Sequence, residues 1–219
     1  VHPEMVQDMP SAIEFNGTDA YAQGSTTMST VTGSTGTLAM WVYYTGSQTE
    51  QGEKMLFSDS NAAEARKIIM QTRNYSNHGA SFRFGWIDSA GFGVQAKETG
   101  GINGLLVSGT WQHMAMTFDG TDVTLFKDGV QISDGTAGTG LSYAIANPTI
   151  GRMAHDASRY FPGYIRDVQV YNVDSDATQL GQIMNGEFPH GTPIHWWTLD
   201  DGATNDDGSA TDSDLTLYN

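Results

Sequence analysis

The chain has 219 residues, of which 38% are hydrophobic and 16% are charged, and it contains 26 glycines and no cysteine. This length allows one large β domain or two small ones, and the lack of cysteine excludes disulfides and thiolate metal sites. The net charge of -15 argues against nucleic acid and anionic membranes as partners, and no apolar run approaches the ~20 residues of a membrane span.

In chain order, short apolar alternations separated by Gly, Asn and Asp predict a series of strands. After residues 1–10, which we interpret as an N-terminal arm, SAIEFNG predicts a strand that enters an Asn-Gly turn. The nearly continuous apolar run TLAMWVYYT predicts a strand buried on both faces. Further strands are predicted at KMLFSDS, KIIMQTR, SFRFGWID, NPTIGRM and YFPGYIRDVQVYN. Residues 109–133 are predicted to contain three more strands, joined by two turns.

Residues 174–186 predict a short helix. Leu180, Ile183 and Met184 form an i, i+3, i+4 apolar stripe, an acidic segment that can cap a helix precedes it, and Asn-Gly follows Met184. We expect this helix to cover one end of a β-sandwich. The linker PHGTP is too short to require a domain boundary, so we predict one domain over residues 1–219, with residues 195–219 as terminal strands.

The alternation within these strands also predicts the core. We expect buried side chains at Trp41, Trp111, Phe118, Leu125, Phe126, Ile150, Ile165, Val168 and Val170. An isolated aromatic residue on an alternating strand is more often part of a core than a platform for a ligand, and Trp41 and Trp111 are interpreted accordingly. His113 alternates with apolar neighbours, so we expect a hydrogen-bonded structural histidine rather than a catalytic base.

Five segments in a fixed order carry a resemblance to a known family. They are IEFNGTDAYAQ, TLAMWVYY, GTWQHMAMTFDG with VTLFKDGVQI, TIGR, and YFPGYIRDVQVYN. Together they resemble the laminin-G-like and concanavalin-A-like lectin/glucanase domains from Ala12 to Phe188. The resemblance implies an all-β fold, a two-sheet antiparallel jelly-roll sandwich with one short helix near residues 174–186.

The C-terminal segment HWWTLDDGATNDDGSATDSDLTLYN resembles the strand pair that opens domains of this family, although here it closes the sequence. We favour a circular permutation, in which the first strands have moved to the C-terminus and fill the place beside SAIEF, because the termini of sandwiches often lie close together. Two alternatives stay open: the segment completes a neighbouring subunit by strand addition, or it begins a further domain.

The resemblance also implies a structural Ca²⁺ where the first turn meets the final strand, held by carbonyl oxygens and a carboxylate. The matching residues are Gly17 and Asp167, and Asp200 joins them if the terminal segment returns to that edge. The alternative, in which Asp167 caps a turn or faces solvent, stays open at this point.

Catalytic patterns are absent from the sequence. Glucanases of similar architecture carry their catalytic carboxylates as E-x-D-x-x-E on one strand, and this sequence has no such pattern. It also lacks the G-x-S-x-G, H-E-x-x-H and P-loop motifs, so we predict that the protein is not an enzyme. A glycan-degrading enzyme on the same fold is the alternative.

Relatives in this family usually bind glycans or proteins through loops at one rim. His155, Asp156, Arg159 and Tyr160 combine an aromatic ring with polar groups suited to sugar hydroxyls, although turn formation explains the same residues. We therefore predict a binding or structural module on an extracellular or virion surface, such as a carbohydrate-binding protein or a virion decoration or fibre protein. Its expected partners are glycans or neighbouring subunits, with homo-oligomerisation left open.

Overall fold

The structure is a computed structural model, and it describes residues 12–24, 31–47, 52–59, 67–75, 79–88, 91–97, 106–136, 143–145, 148–155, 157–199 and 215–218. The N-terminal arm predicted over residues 1–10 lies outside the described residues. The strands are β1 (Ile13–Asn16), β2 (Tyr21–Gly24), β3 (Val31–Gly33), β4 (Gly36–Tyr44), β5 (Gly52–Asp59), β6 (Lys67–Tyr75), β7 (Gly79–Asp88), β8 (Gly91–Lys97), β9 (Trp111–Phe118), β10 (Asp122–Lys127), β11 (Val130–Thr136), β12 (Tyr143–Ile145), β13 (Thr149–Ile150), β14 (Pro162–Tyr171), β15 (His195–Trp197) and β16 (Leu215–Tyr218). The helix is α1 (Ala177–Met184).

Counted over the described residues, the strands form two seven-stranded antiparallel sheets. Sheet A has the order β1-β14-β4-β9-β10-β11, with β15 also paired to β14, and sheet B has the order β16-β2-β13-β5-β6-β7-β8. Strands β3 and β12 form a separate pair. The core contains alternating residues of both sheets, among them Leu38 and Met40 of sheet A and Leu56 and Ile150 of sheet B. The predicted all-β jelly-roll sandwich with one short helix is confirmed.

The predicted core is correct except at its two tryptophans. Trp41 and Trp111 are half-buried rather than buried, whereas the other predicted core residues are buried. On β4, Leu38, Met40 and Val42 enter the core, so the residues between them point to the outer face of sheet A. Strand β4 is therefore buried on both faces only over its first half.

Helix α1 lies on the outer face of sheet A. Its N-terminus is closed by a capping box, because the Asp176 carboxylate accepts the backbone N–H of Gln179 and the Gln179 side chain accepts the backbone N–H of Asp176. The buried residues Leu180 and Ile183 pack against outward-facing side chains of sheet A, namely Ala39, Ala115, Phe126 and Tyr171. The predicted helix is confirmed, but it covers part of one sheet face rather than an end of the sandwich. In the described part of the chain, no helix has the length and apolar character needed to cross a membrane.

Both terminal strands pair with strands of this chain. Strand β15 pairs with residues 168–170 of β14, and β1 pairs with residues 162–165 of β14. Strand β4 pairs with the opposite edge of β14, so β1 and β15 lie end to end along one edge. A register shift in β14, at which Asp167 has a φ of 53°, separates the two pairings. Strand β16 pairs with β2 at the edge of sheet B. The C-terminal segment thus contributes a strand to each sheet, and β15 continues the line of β1 instead of pairing with it.

Candidate functional site

The outer face of sheet A carries two rows of large side chains at the end that α1 leaves uncovered. The first row crosses four adjacent strands through direct partners: Glu14, Tyr164, Tyr43 and Trp111. The second row crosses β14, β4 and β9: Arg166, Trp41 and His113. Direct partners on one face of a sheet have Cβ atoms about 5 Å apart, so strand register alone brings these side chains together.

The rings of these rows contact one another. The ring centroid of Tyr43 lies 5.5 Å from that of Trp111 and 5.9 Å from that of Tyr164, and the second pair is edge-to-face. The guanidinium carbon of Arg166 lies 4.9 Å from the Trp111 centroid and 5.9 Å from the Trp41 centroid. All five side chains are half-buried. We call Trp41, Tyr43, Trp111, Tyr164 and Arg166 the aromatic platform.

The sequence of the strands determines where this platform ends. Moving along β4 and β9, the next outward-facing residues are Ala39 and Ala115, and their small side chains let α1 pack closely on the sheet. On these two strands, the large outward-facing rings lie beyond the helix. One end of the outer face is therefore covered by α1, and the other end presents the platform.

His113 lies beside the platform and is buried. Its ring contacts Trp41 edge-on at 5.3 Å between centroids, and its side chain is buried. Burial lowers the pKa of His113 to about 3, so the imidazole is neutral near neutral pH. Asp128 Oδ1 accepts a hydrogen bond of 2.8 Å from the backbone N–H of His113, whereas the ring Nδ1 has no hydrogen-bond partner. The expectation that this ring is fully hydrogen-bonded is wrong.

Asp167 belongs to a hydrogen-bond network next to the platform. Its Oδ1 accepts bonds from Trp196 Nε1 at 2.6 Å and from Gln169 Nε2 at 2.9 Å. The Tyr171 hydroxyl donates in turn to Gln169 Oε1 at 2.7 Å. Burial, and to a smaller extent the charge of Asp167, raise the pKa of Tyr171 well above its usual value, so this hydroxyl stays a donor. The network fixes β15 to β14 at the bulge.

The predicted calcium ligands do not assemble around one ion. Gly17 follows Asn16, which pairs with Pro162, whereas Asp167 lies five residues further along β14. Five residues of strand span about 16 Å, but oxygen ligands lie only about 2.3–2.6 Å from a Ca²⁺ ion. Asp200 lies outside the described residues. Within the described ranges no group of three or more His, Asp or Glu side chains could hold a metal ion. Gly17 and Asp167 therefore do not fit a shared ion, and calcium binding itself stays a prediction.

The predicted ligand-binding loop lies on the other sheet. Met153 anchors it by packing against Met55 and Ile69 on the outer face of sheet B. Arg159, which has a φ of 59°, pairs with Glu53 through a contact of 2.6 Å between Nε and Oε2. These contacts brace the loop against the sheet.

The structure brings only some of the predicted loop residues together. The Tyr160 ring lies 6.5 Å from that of Tyr21, which stacks on Tyr218 at 4.4 Å and is covered by the guanidinium of Arg152 at 3.6 Å. His155 is half-buried, and Asp156 lies outside the described residues. A ligand-binding role for His155, Asp156, Arg159 and Tyr160 stays a prediction.

The aromatic platform is the surface that the sequence interpretation missed. A signal was present, because Ala39, Trp41 and Tyr43 alternate with the core residues Leu38, Met40 and Val42. Aromatic residues on both faces of β4 hid this alternation. The extent of the helix on the outer face, which decides what remains uncovered, depends on tertiary packing.

Known proteins share this architecture. A profile of the family described as the concanavalin A-like lectin/glucanases superfamily matches residues 16–180. A heptameric SAP-like pentraxin from Limulus polyphemus superposes with a TM-score of 0.64 at 14% identity, over 95% of this chain and 94% of that chain. A candidate carbohydrate binding protein from Bacteroides ovatus gives a TM-score of 0.66 at 15% identity, over 96% of this chain and 60% of that chain. Domain 4 of an extracellular arabinanase from Geobacillus stearothermophilus, in complex with arabinotriose, gives a TM-score of 0.51 at 18% identity, over 78% of this chain and 75% of that chain.

A comparison with curated protein sequences finds no match. The structural likenesses have low sequence identity, so they establish a shared fold and nothing about ligands. The family profile, by contrast, spans most of the sequence, from the turn after β1 into helix α1. This chain therefore belongs to the concanavalin A-like lectin/glucanase superfamily.

Proposed function

We propose that this chain is a non-enzymatic carbohydrate-binding module and that the aromatic platform is its binding surface. The observation that carries the proposal is the row of Tyr164, Tyr43 and Trp111, three half-buried rings on neighbouring strands at one end of a sheet face whose other end packs against a helix. Leaving such rings partly in water forgoes apolar burial, which is typical of a surface that contacts a ligand.

The platform combines the two features that a sugar site requires. Aromatic ring faces pack against the apolar C–H faces of a pyranose, and tyrosine hydroxyls and a guanidinium bond to its hydroxyls. Glu14, which is exposed at the end of the first row, adds an acceptor. The rings project from hydrogen-bonded strands rather than from a loop, so little conformational entropy is lost when a ligand binds.

The carboxylates around the platform support binding rather than hydrolysis. Glu14 lies on β1, and Asp128 directly follows β10, four strand spacings away, which corresponds to roughly 19 Å. The third carboxylate, Asp167, accepts hydrogen bonds from Trp196 and Gln169. Glycosidases require two carboxyl groups about 5–9.5 Å apart. We expect that a glycan bound by the protein is recovered at its original length after prolonged incubation. Shortened products would favour the alternative of a glycan-degrading enzyme.

The setting of the module is part of the same proposal. We place it on an extracellular or virion surface, with glycans or neighbouring copies as partners. This part rests on composition: a charge of -15 favours solubility, and the lack of cysteine suits a protein that is assembled in a reducing compartment. Light scattering tests the contact between copies, since a monodisperse monomer at high concentration would contradict it.

A glycan array followed by titration calorimetry tests the binding surface. Trp111→Ala should weaken binding of the best array glycan at least tenfold, which corresponds to about 1.4 kcal/mol. Tyr218→Ala is the matched control, because it removes a tyrosine that is 43% exposed on sheet B. This control should bind within about twofold of wild type.

Folding is checked by far-UV circular dichroism and thermal unfolding of each variant. If Trp111→Ala proves unstable, Tyr43→Phe and Tyr164→Phe remove only hydroxyl groups and should each weaken binding measurably. Equal binding by wild type and a folded Trp111→Ala would refute the platform as the binding surface. Binding to no glycan of a broad array would refute the proposed function itself.

A further inference from the structure

The cation of the platform lies close to both of its tryptophan rings. Arg166 projects from β14 to the outer face, and its direct partner on β4 is Trp41. The guanidinium carbon lies 4.9 Å from the Trp111 centroid and 5.9 Å from the Trp41 centroid, within the range of a cation–π interaction. Contact with aromatic rings fixes the plane of a guanidinium and directs its N–H groups along that plane.

This cation is an exception in an acidic protein. The chain has 25 acidic and 10 basic residues, so its overall field repels anions. In the two platform rows, Arg166 is the charged donor, Glu14 is an exposed carboxylate at the far end, and His113 is buried and neutral. Asp128, next to His113, accepts the backbone N–H of that residue. A positive charge among sugar-stacking rings is therefore a local feature, which the net charge does not explain.

On the basis of the proposed function, we infer that the platform selects glycans that carry carboxylates, that is, uronic acid polymers, with Arg166 binding the carboxylate. A guanidinium offers five N–H donors in a planar fork that matches a carboxylate, and such bonds are stronger than those to neutral hydroxyls. Arg166 has a further interaction within the protein and its Nε is buried, so a ligand carboxylate would bind to N–H groups of the two terminal nitrogens. The pyranose ring then rests on Tyr43 and Tyr164, whose rings belong to the neighbouring row.

Matched polymer pairs that differ only in the carboxylate test this inference. We would measure binding to polygalacturonate and its methyl ester, to hyaluronan and its carboxyl-reduced form, and to glucuronoxylan and its carboxyl-reduced form. The wild type should bind the acidic member of at least one pair tenfold or more tightly at low salt. This preference should fall as the NaCl concentration is raised, because salt screens the attraction between Arg166 and the carboxylate. The net charge of -15 alone would instead repel the acidic member of each pair.

The variants separate the charge from the fork geometry. Arg166→Gln should abolish the preference, because it should weaken binding of the acidic member at least tenfold more than binding of the uncharged member. Arg166→Lys keeps the charge but not the planar fork, and should retain only part of the preference. Lys54→Gln is the control, because it removes one positive charge from β5 of sheet B, away from the platform.

Every outcome is decisive for one of the two proposals. Equal or tighter binding of the uncharged members by wild type would overturn the acidic-glycan inference and leave the proposed function standing. A preference that survives in a folded Arg166→Gln would also overturn it, since another group would then bind the carboxylate. If Arg166→Gln does not fold, the wild-type preference across the pairs and its salt dependence still test the acidic-glycan inference. Failure to bind any array glycan would refute the proposed function and the inference together.

Discussion

Replacing His113 by phenylalanine should reduce the loss of unfolding free energy that the protein shows as the pH falls below about 6.5. His113 is buried beside Trp41, and Asp128 and Arg166 are the charged residues of the neighbouring elements that face this region. Burial lowers its pKa from 6.5 to about 3, so the unfolded chain binds a proton that the folded chain does not. The folded state is therefore stabilised above pH 6.5, and this contribution is lost as the pH falls from 6.5 towards 3.

The size of the effect follows from the two pKa values. Relative to high pH, the folded state loses about 1 kcal/mol at pH 6 and about 2 kcal/mol at pH 5 from this residue alone. Phenylalanine keeps a ring of similar size and does not titrate. Comparing the two proteins at each pH cancels the contributions of the other titrating groups.

Urea unfolding at pH 5, 6 and 7, followed by far-UV circular dichroism, measures this difference. Between pH 7 and pH 5 the wild type should lose about 2 kcal/mol more stability than His113→Phe. A direct control is the NMR titration of the His113 ring in the folded wild type, which should show no protonation above pH 4. Parallel stability profiles, or a ring that titrates near pH 6, would refute the reasoning.

Four further outcomes follow from the structure. Gly163→Ala should destabilise the fold by about 2 kcal/mol or more, measured by urea unfolding, because Gly163 has a φ of 145° and an added Cβ would overlap the Tyr43 carbonyl oxygen. Asp176→Ala should lower the free energy of unfolding by about 1 kcal/mol through loss of the capping box. Asp176→Ser should keep most of this stabilisation, because serine also caps a helix. Asp167→Asn should lower stability by about 1–2 kcal/mol, because a carboxylate that accepts two hydrogen bonds becomes a neutral amide. EDTA should shift the Tm of the wild type and of Asp167→Asn equally, and a shift confined to the wild type would show that Asp167 binds a metal.

Most of the fold was predictable because strand and helix periods are local properties. The alternation on β10 and β14 identified Leu125, Ile165, Val168 and Val170 as core residues, and they are buried. The helix was predictable because its cap, apolar stripe and stop lie within a dozen residues of one another. Neither inference requires knowledge of distant contacts.

The site was less predictable because it depends on which surfaces other elements cover. Trp41 and Ala39 face the same side of β4, yet only Ala39 is covered by α1. Nothing in the local pattern shows where a helix more than a hundred residues later will end. The prediction for Gly17 and Asp167 failed for a related reason, since register, not motif, determines how far apart they lie along β14.

NMR observation of the tryptophan indole N–H signals tests the central claim most directly, because it requires no substitution. The chain has five tryptophans, of which Trp41 and Trp111 lie in the platform and Trp197 is fully buried in the core. On titration with a glycan that the protein binds, the signals of Trp41 and Trp111 should move progressively and saturate with the calorimetric Kd, while the signal of Trp197 stays in place. Saturable binding that leaves Trp41 and Trp111 unchanged would contradict the account.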